Sequence, residues 1–110
     1  MNKDKDKGRL DFIDNARPLL HCDRYGFWVR SSIYLRKKLR DSIDAVIEDC
    51  GVDIKNHPTK RDSNRLDFLE KHKLPLDRFN NLFFVGDVDI GHMKIRAAID
   101  EAMKARGLKP

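Results

Sequence analysis

"RLDF" stands at Arg9–Phe12 and again at Arg65–Phe68, 56 positions apart in a chain of 110 residues. One repeated tetrapeptide means little, so the question is whether the match continues at the same spacing. Read without gaps from Asp6/Asp62 to Gly51/Gly107, it does. The pairs Asp6/Asp62, Arg9/Arg65, Leu10/Leu66, Asp11/Asp67, Phe12/Phe68, Leu20/Leu76, Phe27/Phe83, Val29/Val85, Lys38/Lys94, Arg40/Arg96, Ile43/Ile99, Asp44/Asp100 and Gly51/Gly107 are identical. That is 13 of 46 positions, where ordinary composition gives about three. Conservative pairs fill in between them: Ile13/Leu69, Asp14/Glu70, Trp28/Phe84, Leu39/Ile95, Ile47/Met103. The chain reads as a tandem duplication.

Each copy follows one plan. A short helix comes first, over 9–17 and 63–73, and stops near Pro18 or Pro75, since proline disfavours helix in the residue before it. An aromatic and β-branched stretch follows, Phe27–Val29 and Phe83–Val85, and reads as a strand. A longer helix then runs over about 32–50 and 90–106. Gly51 and Gly107 stand where a helix ends in a left-handed residue. A single helix from Asp23 is the alternative for copy one, because Trp28, Ser32, Leu35 and Leu39 also fit helical spacing.

The long helices are amphipathic at about 100° per residue. Leu35, Leu39, Ile43, Val46, Ile47 and Cys50 fall on one stripe; Ile95, Ala98, Ile99, Ala102 and Met103 make the matching one. Neither copy can bury its stripe alone. The fold expected is therefore α+β and mostly helical, a duplicated α-β-α unit closed into one pseudo-twofold domain. Its parts are a charged tail (1–8), unit one (9–52), a basic linker (53–61) and unit two (62–108). Leu10, Phe12, Leu66 and Phe68 should fill equivalent core places. Arg9, Asp11, Arg65 and Asp67 read as interface ion pairs or solvated charges. Trp28 and Phe84 are both large and apolar, which predicts that both are mostly buried near the twofold.

Composition excludes several classes. Hydrophobic residues make up 40%, enough for a core. No apolar run approaches the roughly 20 residues of a membrane span. The charged N-terminus lacks the apolar stretch of a signal peptide, so a cytoplasmic location is expected, with Cys22 and Cys50 as free thiols. There is no CxxC pair for zinc, no glycine-rich phosphate loop and no GxSxG. His21, His57, His72 and His92 are scattered without HxxxH spacing. Asp87 and Asp89 after an apolar strand have the form used for magnesium and phosphate chemistry. The chain left after them is too short for such an enzyme's sheet, so one of them reads as a helix cap. No catalytic residue, metal or cofactor is assigned.

Net charge is +5 and the pI is near 9.4, which favours an acidic partner. By segment, residues 6–52 hold 9 Lys/Arg against 8 Asp/Glu, and residues 62–108 hold 8 of each. The excess lies in tail and linker. The exception is "YLRKKLR" (34–40), where cations crowd the expected helix start against its macrodipole. Cations beside free helix N–H groups can hold a phosphate. The expected function is a small non-catalytic regulatory protein that binds DNA or RNA. The residues assigned to it are Arg30, Arg36, Lys37, Lys38 and Arg40, with Lys55, Lys60 and Arg61 in the linker. The alternative is an inhibitor or adaptor, for example of mobile-element type, that binds a protein partner. The order strand–helix–helix (27–29, 32–50, 63–73) loosely resembles that of ribbon-helix-helix repressors. The outward strand positions Trp28, Arg30 and Ser32, with Phe84, Gly86 and Val88, are poor base readers.

Overall fold

Two apolar helix stripes and a strip of antiparallel sheet make the core of this α+β protein. The computed structural model describes residues 3–16, 20–23, 26–29, 35–57, 59–86 and 88–109, and of 20–23, 28 and 29 the backbone alone. A 3₁₀ turn (Lys3–Lys5) leads into helix α1 (Asp6–Ala16). Strands β1 (Leu20–Asp23) and β2 (Gly26–Val29) form a hairpin, and helix α2 spans Leu39–Asp49. The second half has the same order: α3 (Lys60–His72), β3 (Leu76–Phe79), β4 (Leu82–Val85) and α4 (Ile95–Ala105). Residues 3–8, expected as a tail, are thus part of the fold, and Asp6 in α1 is fully buried.

The sheet order is β2-β1-β3-β4, with every neighbouring pair antiparallel. Among the described residues, the two hairpins meet at the backbone pair Leu20 with Leu76. Helix α2 lies against β2 and α4 against β4, while α1 and α3 touch each other and both of those helices. The stripe residues behave as their spacing predicts. Leu39, Ile43, Val46 and Ile47 are buried, as are Ile95, Ala98, Ile99, Ala102 and Met103. Leu10, Phe12, Leu66 and Phe68 are buried with them. Burying these side chains is the main stabilising force, at about 1.5–3 kcal/mol for each large one.

Helices α2 and α4 end as glycine allows. Gly51 and Gly107 have φ of 70° and 75°. Val52 N–H reaches back to the Ile47 carbonyl, and Leu108 N–H to that of Met103, at 3.2 and 2.9 Å. These are paired Schellman ends.

Four expectations need correction. Each half carries two strands, not one, so the order within each half is α-β-β-α, and the strand of the strand–helix–helix run, β2, is one arm of a hairpin with β1. Asn80 and Asn81 both have positive φ, as a two-residue primed hairpin turn requires, and they make β3 and β4 a hairpin. Helices α2 and α4 start later than expected. The preceding chain is held extended by an edge pairing of Phe27 with Arg36 and of Phe83 with His92, and Ser32–Tyr34 lie outside the described residues. The helix from Asp23 is ruled out by strand β2. Phe84 is half-buried, because the pleat of β4 turns Phe83 and Val85 to the core and Leu82 and Phe84 to the other face. The Trp28 side chain lies outside the described residues.

Candidate functional site

The arginine of RLDF is internal in both halves, whereas its aspartate is partly exposed in both. Arg9 donates from Nη1 to Asp6 (2.7 Å) and from Nε and Nη2 to both oxygens of Asp44 (2.7 Å each). Arg65 makes the same set to Asp62 (2.7 Å) and Asp100 (2.8 and 2.9 Å). Helix spacing explains the first contact, since Asp6–Arg9 and Asp62–Arg65 are i,i+3 pairs on one face.

A second arginine in each half completes the network and crosses to the other half. Arg40 forks onto Asp6 (2.9 and 2.8 Å), and also reaches Glu70 (2.6 Å), Asp67 (2.9 Å) and the Ser63 carbonyl (3.0 Å). Arg96 forks onto Asp62 (2.8 and 3.0 Å), and also reaches Asp11 (2.9 Å), Asp14 (3.7 Å) and the Lys7 carbonyl (3.3 Å). Asp6 and Asp62 are thereby each shared between two guanidinium groups, which is what burial of charge demands.

The electrostatics follow from the geometry. Burial pushes the Asp6 carboxyl up, but hydrogen bonds from Arg40, Ser63 and Arg9 outweigh it and hold it below the usual carboxylate range. Asp11 is held low in the same way, with Lys7 and Arg96 outweighing its burial. The Asp100 hydrogen bond raises Arg65. The Asp62 hydrogen bond raises Arg96.

Helix starts are also shared. The residues before α2 and α4 are Lys38 and Lys94, and neither side chain caps its helix. Glu70 accepts from the Arg40 N–H at 3.0 Å, and Asp14 from the Ile95 N–H at 2.7 Å. Each first helix thus supplies the cap of the other half's second helix.

This places the expected nucleic-acid residues. Arg40 is removed from the list: it is 1% exposed and bound to three carboxylates. The phosphate site expected at the α2 start is filled by Glu70. Arg36, Lys37 and Lys38 are exposed, on extended chain along the edge of β2, before the helix and not in it. Lys55, Lys60 and Arg61 are exposed in the linker and the first turn of α3. Arg30 and Asp87 lie outside the described residues. Asp89 is exposed and stands well before Ile95, so it does not cap α4. Cys50, expected on the core stripe, is exposed. Leu35 precedes the helix and is half-buried. His72 lies against Phe68, ring centroids 4.8 Å apart, and His92 against Glu101 at 3.2 Å.

The linker lies on α1. Ile54 covers Gly8, and His57 N–H donates to the Asp4 carbonyl at 2.7 Å. Between them runs a groove of about 600 Å³ lined by Phe12, Val52, Ile54 and polar neighbours.

One surface feature was missed in the sequence. Phe79, Ile90 and Met93 are 67%, 56% and 66% exposed. Two contacts relate the segments that carry them. Phe79 pairs with Leu82 across the hairpin, and Gly91, between Ile90 and Met93, sits directly on Leu82 and Phe84. The matching stretch of the first half is Arg36-Lys37-Lys38 against His92-Met93-Lys94 of the second. The signal available was one mismatch within it: Lys37 of the first copy stands where the second has Met93.

Comparison of the chain with family models, with curated proteins and with solved structures finds no match in any of the three. No helix among the described residues is long and apolar enough to cross a membrane.

Proposed function

We propose that this chain is a small non-catalytic regulatory protein of the cytoplasm that acts by binding a protein partner through the strip Phe79–Leu82–Phe84–Ile90–Met93. The observation that carries this reading is the exposure of Phe79, Ile90 and Met93 on segments that both meet Leu82. Aromatic residues and Met gathered in one exposed patch have the composition of a protein interface, and single scattered apolar residues do not.

We also propose that the two halves are copies of one α-β-β-α unit related by a twofold through Leu20 and Leu76. What supports this is that contacts repeat at the 56-residue spacing: Arg9/Arg65, Arg40/Arg96 and their carboxylates, the Schellman ends, and the acceptors Lys7 and Ser63.

Nucleic-acid binding is the second reading, favoured by the exposed run Arg36-Lys37-Lys38 on the opposite edge with Lys55, Lys60 and Arg61 as further phosphate contacts. One experiment separates the two. Capture from the native host is compared for the wild type, for Phe79→Asp/Met93→Asp and for Arg36→Ala/Lys37→Ala/Lys38→Ala, beside titration with duplex DNA, single strands and RNA. The protein reading expects one partner that survives moderate salt, is lost with the first variant and is kept by the second. Binding of nucleic acid that falls tenfold or more between about 50 and 200 mM salt, and is lost with the basic variant, transfers the function to the second reading.

A further inference from the structure

The bonds that join the two halves are reciprocal. Arg40 of the first half reaches Asp67 and Glu70 of the second. Arg96 of the second reaches Asp11 and Asp14 of the first. Each half therefore carries both the guanidinium and its acidic receptor, and each caps a helix of the other. None of these contacts depends on the two halves belonging to one chain. The tie between them is the segment from Cys50 to Thr59, exposed over most of its length, which holds to α1 through Ile54 and His57.

We infer that a second copy of this chain can supply the missing half. Two chains exchange halves and close into a dimer in which every crossing ion pair and helix cap is kept, each made between chains. This rests on the two-copy reading above. The occupant follows from charge complementarity: Arg40, Asp11 and Asp14 meet their partners on a surface with Asp67, Glu70 and Arg96, and another molecule of the same chain presents it. Within one chain the linker holds the halves at an effective concentration in the millimolar range, so the monomer wins in dilute solution. Exchange gains when chains fold together at high concentration, as in other exchanges of identical elements.

The test uses the full chain with two different affinity tags. The two versions are unfolded together, refolded at about millimolar concentration, and then diluted and taken through both tags in turn. In parallel, the two versions are folded separately and mixed at the same concentration. The inference expects a doubly tagged species at twice the 12.9 kDa chain mass after joint refolding, and at least tenfold less of it on mixing folded chains. Monomer alone after joint refolding overturns the inference. Equal amounts by both routes also overturn it, because a dimer formed face to face needs no unfolding. The two-copy reading is judged separately, by whether 9–51 and 65–107 superpose in an experimental structure, so exchange can fail while that reading stands.

Discussion

Arg40 and Asp6 lie side by side in a two-point hydrogen-bonded fork, Nε to Oδ1 at 2.9 Å and Nη2 to Oδ2 at 2.8 Å, with both side chains closed to solvent. Asp6 also takes the Nη1 bond of Arg9. Removing one member leaves a charge without its partner inside the protein. Asp6→Asn and Arg40→Ala should each destabilise by about 3–5 kcal/mol. Urea unfolding monitored by far-UV circular dichroism checks this. A loss below 1 kcal/mol, the range of exposed pairs, would mean that the fork carries no weight.

The same carboxylate sets the acid limb of stability. Asp6 titrates lower in the folded state than the unfolded value of about 3.9. The unfolded chain therefore binds the proton more readily. The contribution is complete above the unfolded pKa and is lost as pH falls through the folded one. Asp11 acts in the same direction. Melting temperature should be flat from neutral pH down to about 5 and fall steeply below about 4. In Asp6→Asn the fall should be shallower. An identical acid limb in the variant would assign the effect to other groups.

Phe27 and Phe83 hold matching core places, 2% and 0% exposed. Phe27→Ala and Phe83→Ala should each cost about 3–5 kcal/mol, and the two-copy reading expects similar values. Denaturant midpoints at a common slope measure both. A variant that loses less than 1 kcal/mol would show that its half does not need the ring.

Gly26 is required by close approach. Its φ is 137°, and a Cβ built there would lie 2.3 Å from the Arg36 carbonyl oxygen. Gly26→Ala should cost more than about 1–3 kcal/mol, because backbone cannot yield as a side chain does. It should also free the chain before α2 from the edge of β2. Faster amide exchange at Phe27 and Arg36 is the readout, and unchanged exchange there would refute the contact.

What the sequence disclosed was the spacing and the apolar places. Leu10, Phe12, Ile43 and Ile99 could be put in the core by class and period alone. The charged identities were harder to read. Asp6, Arg9, Arg40 and Asp44 look like solvated charges, because hydropathy says nothing of an ion pair whose members lie 34 or 35 residues apart. The first strands were hidden by their polar residues, Leu76-Asp77-Arg78-Phe79, only the first of which is buried. Helical spacing around Leu35 competed with an edge pairing that no local period reports. The apolar strip was hidden because Phe79 and Met93 stand far apart in the sequence, on segments that the hairpin and Gly91 both bring to Leu82.

The crossed helix caps bear on how the chain is made. Synthesis runs from the N-terminus, so α2 leaves the ribosome before α3 does. Until Glu70 emerges, the start of α2 has no acceptor for its Arg40 N–H, and the Arg40 guanidinium lacks two of its carboxylates. The first half therefore has to wait, part-formed, for the second. A pause in translation that keeps α3 inside the ribosome after α2 has emerged should lengthen that exposed interval.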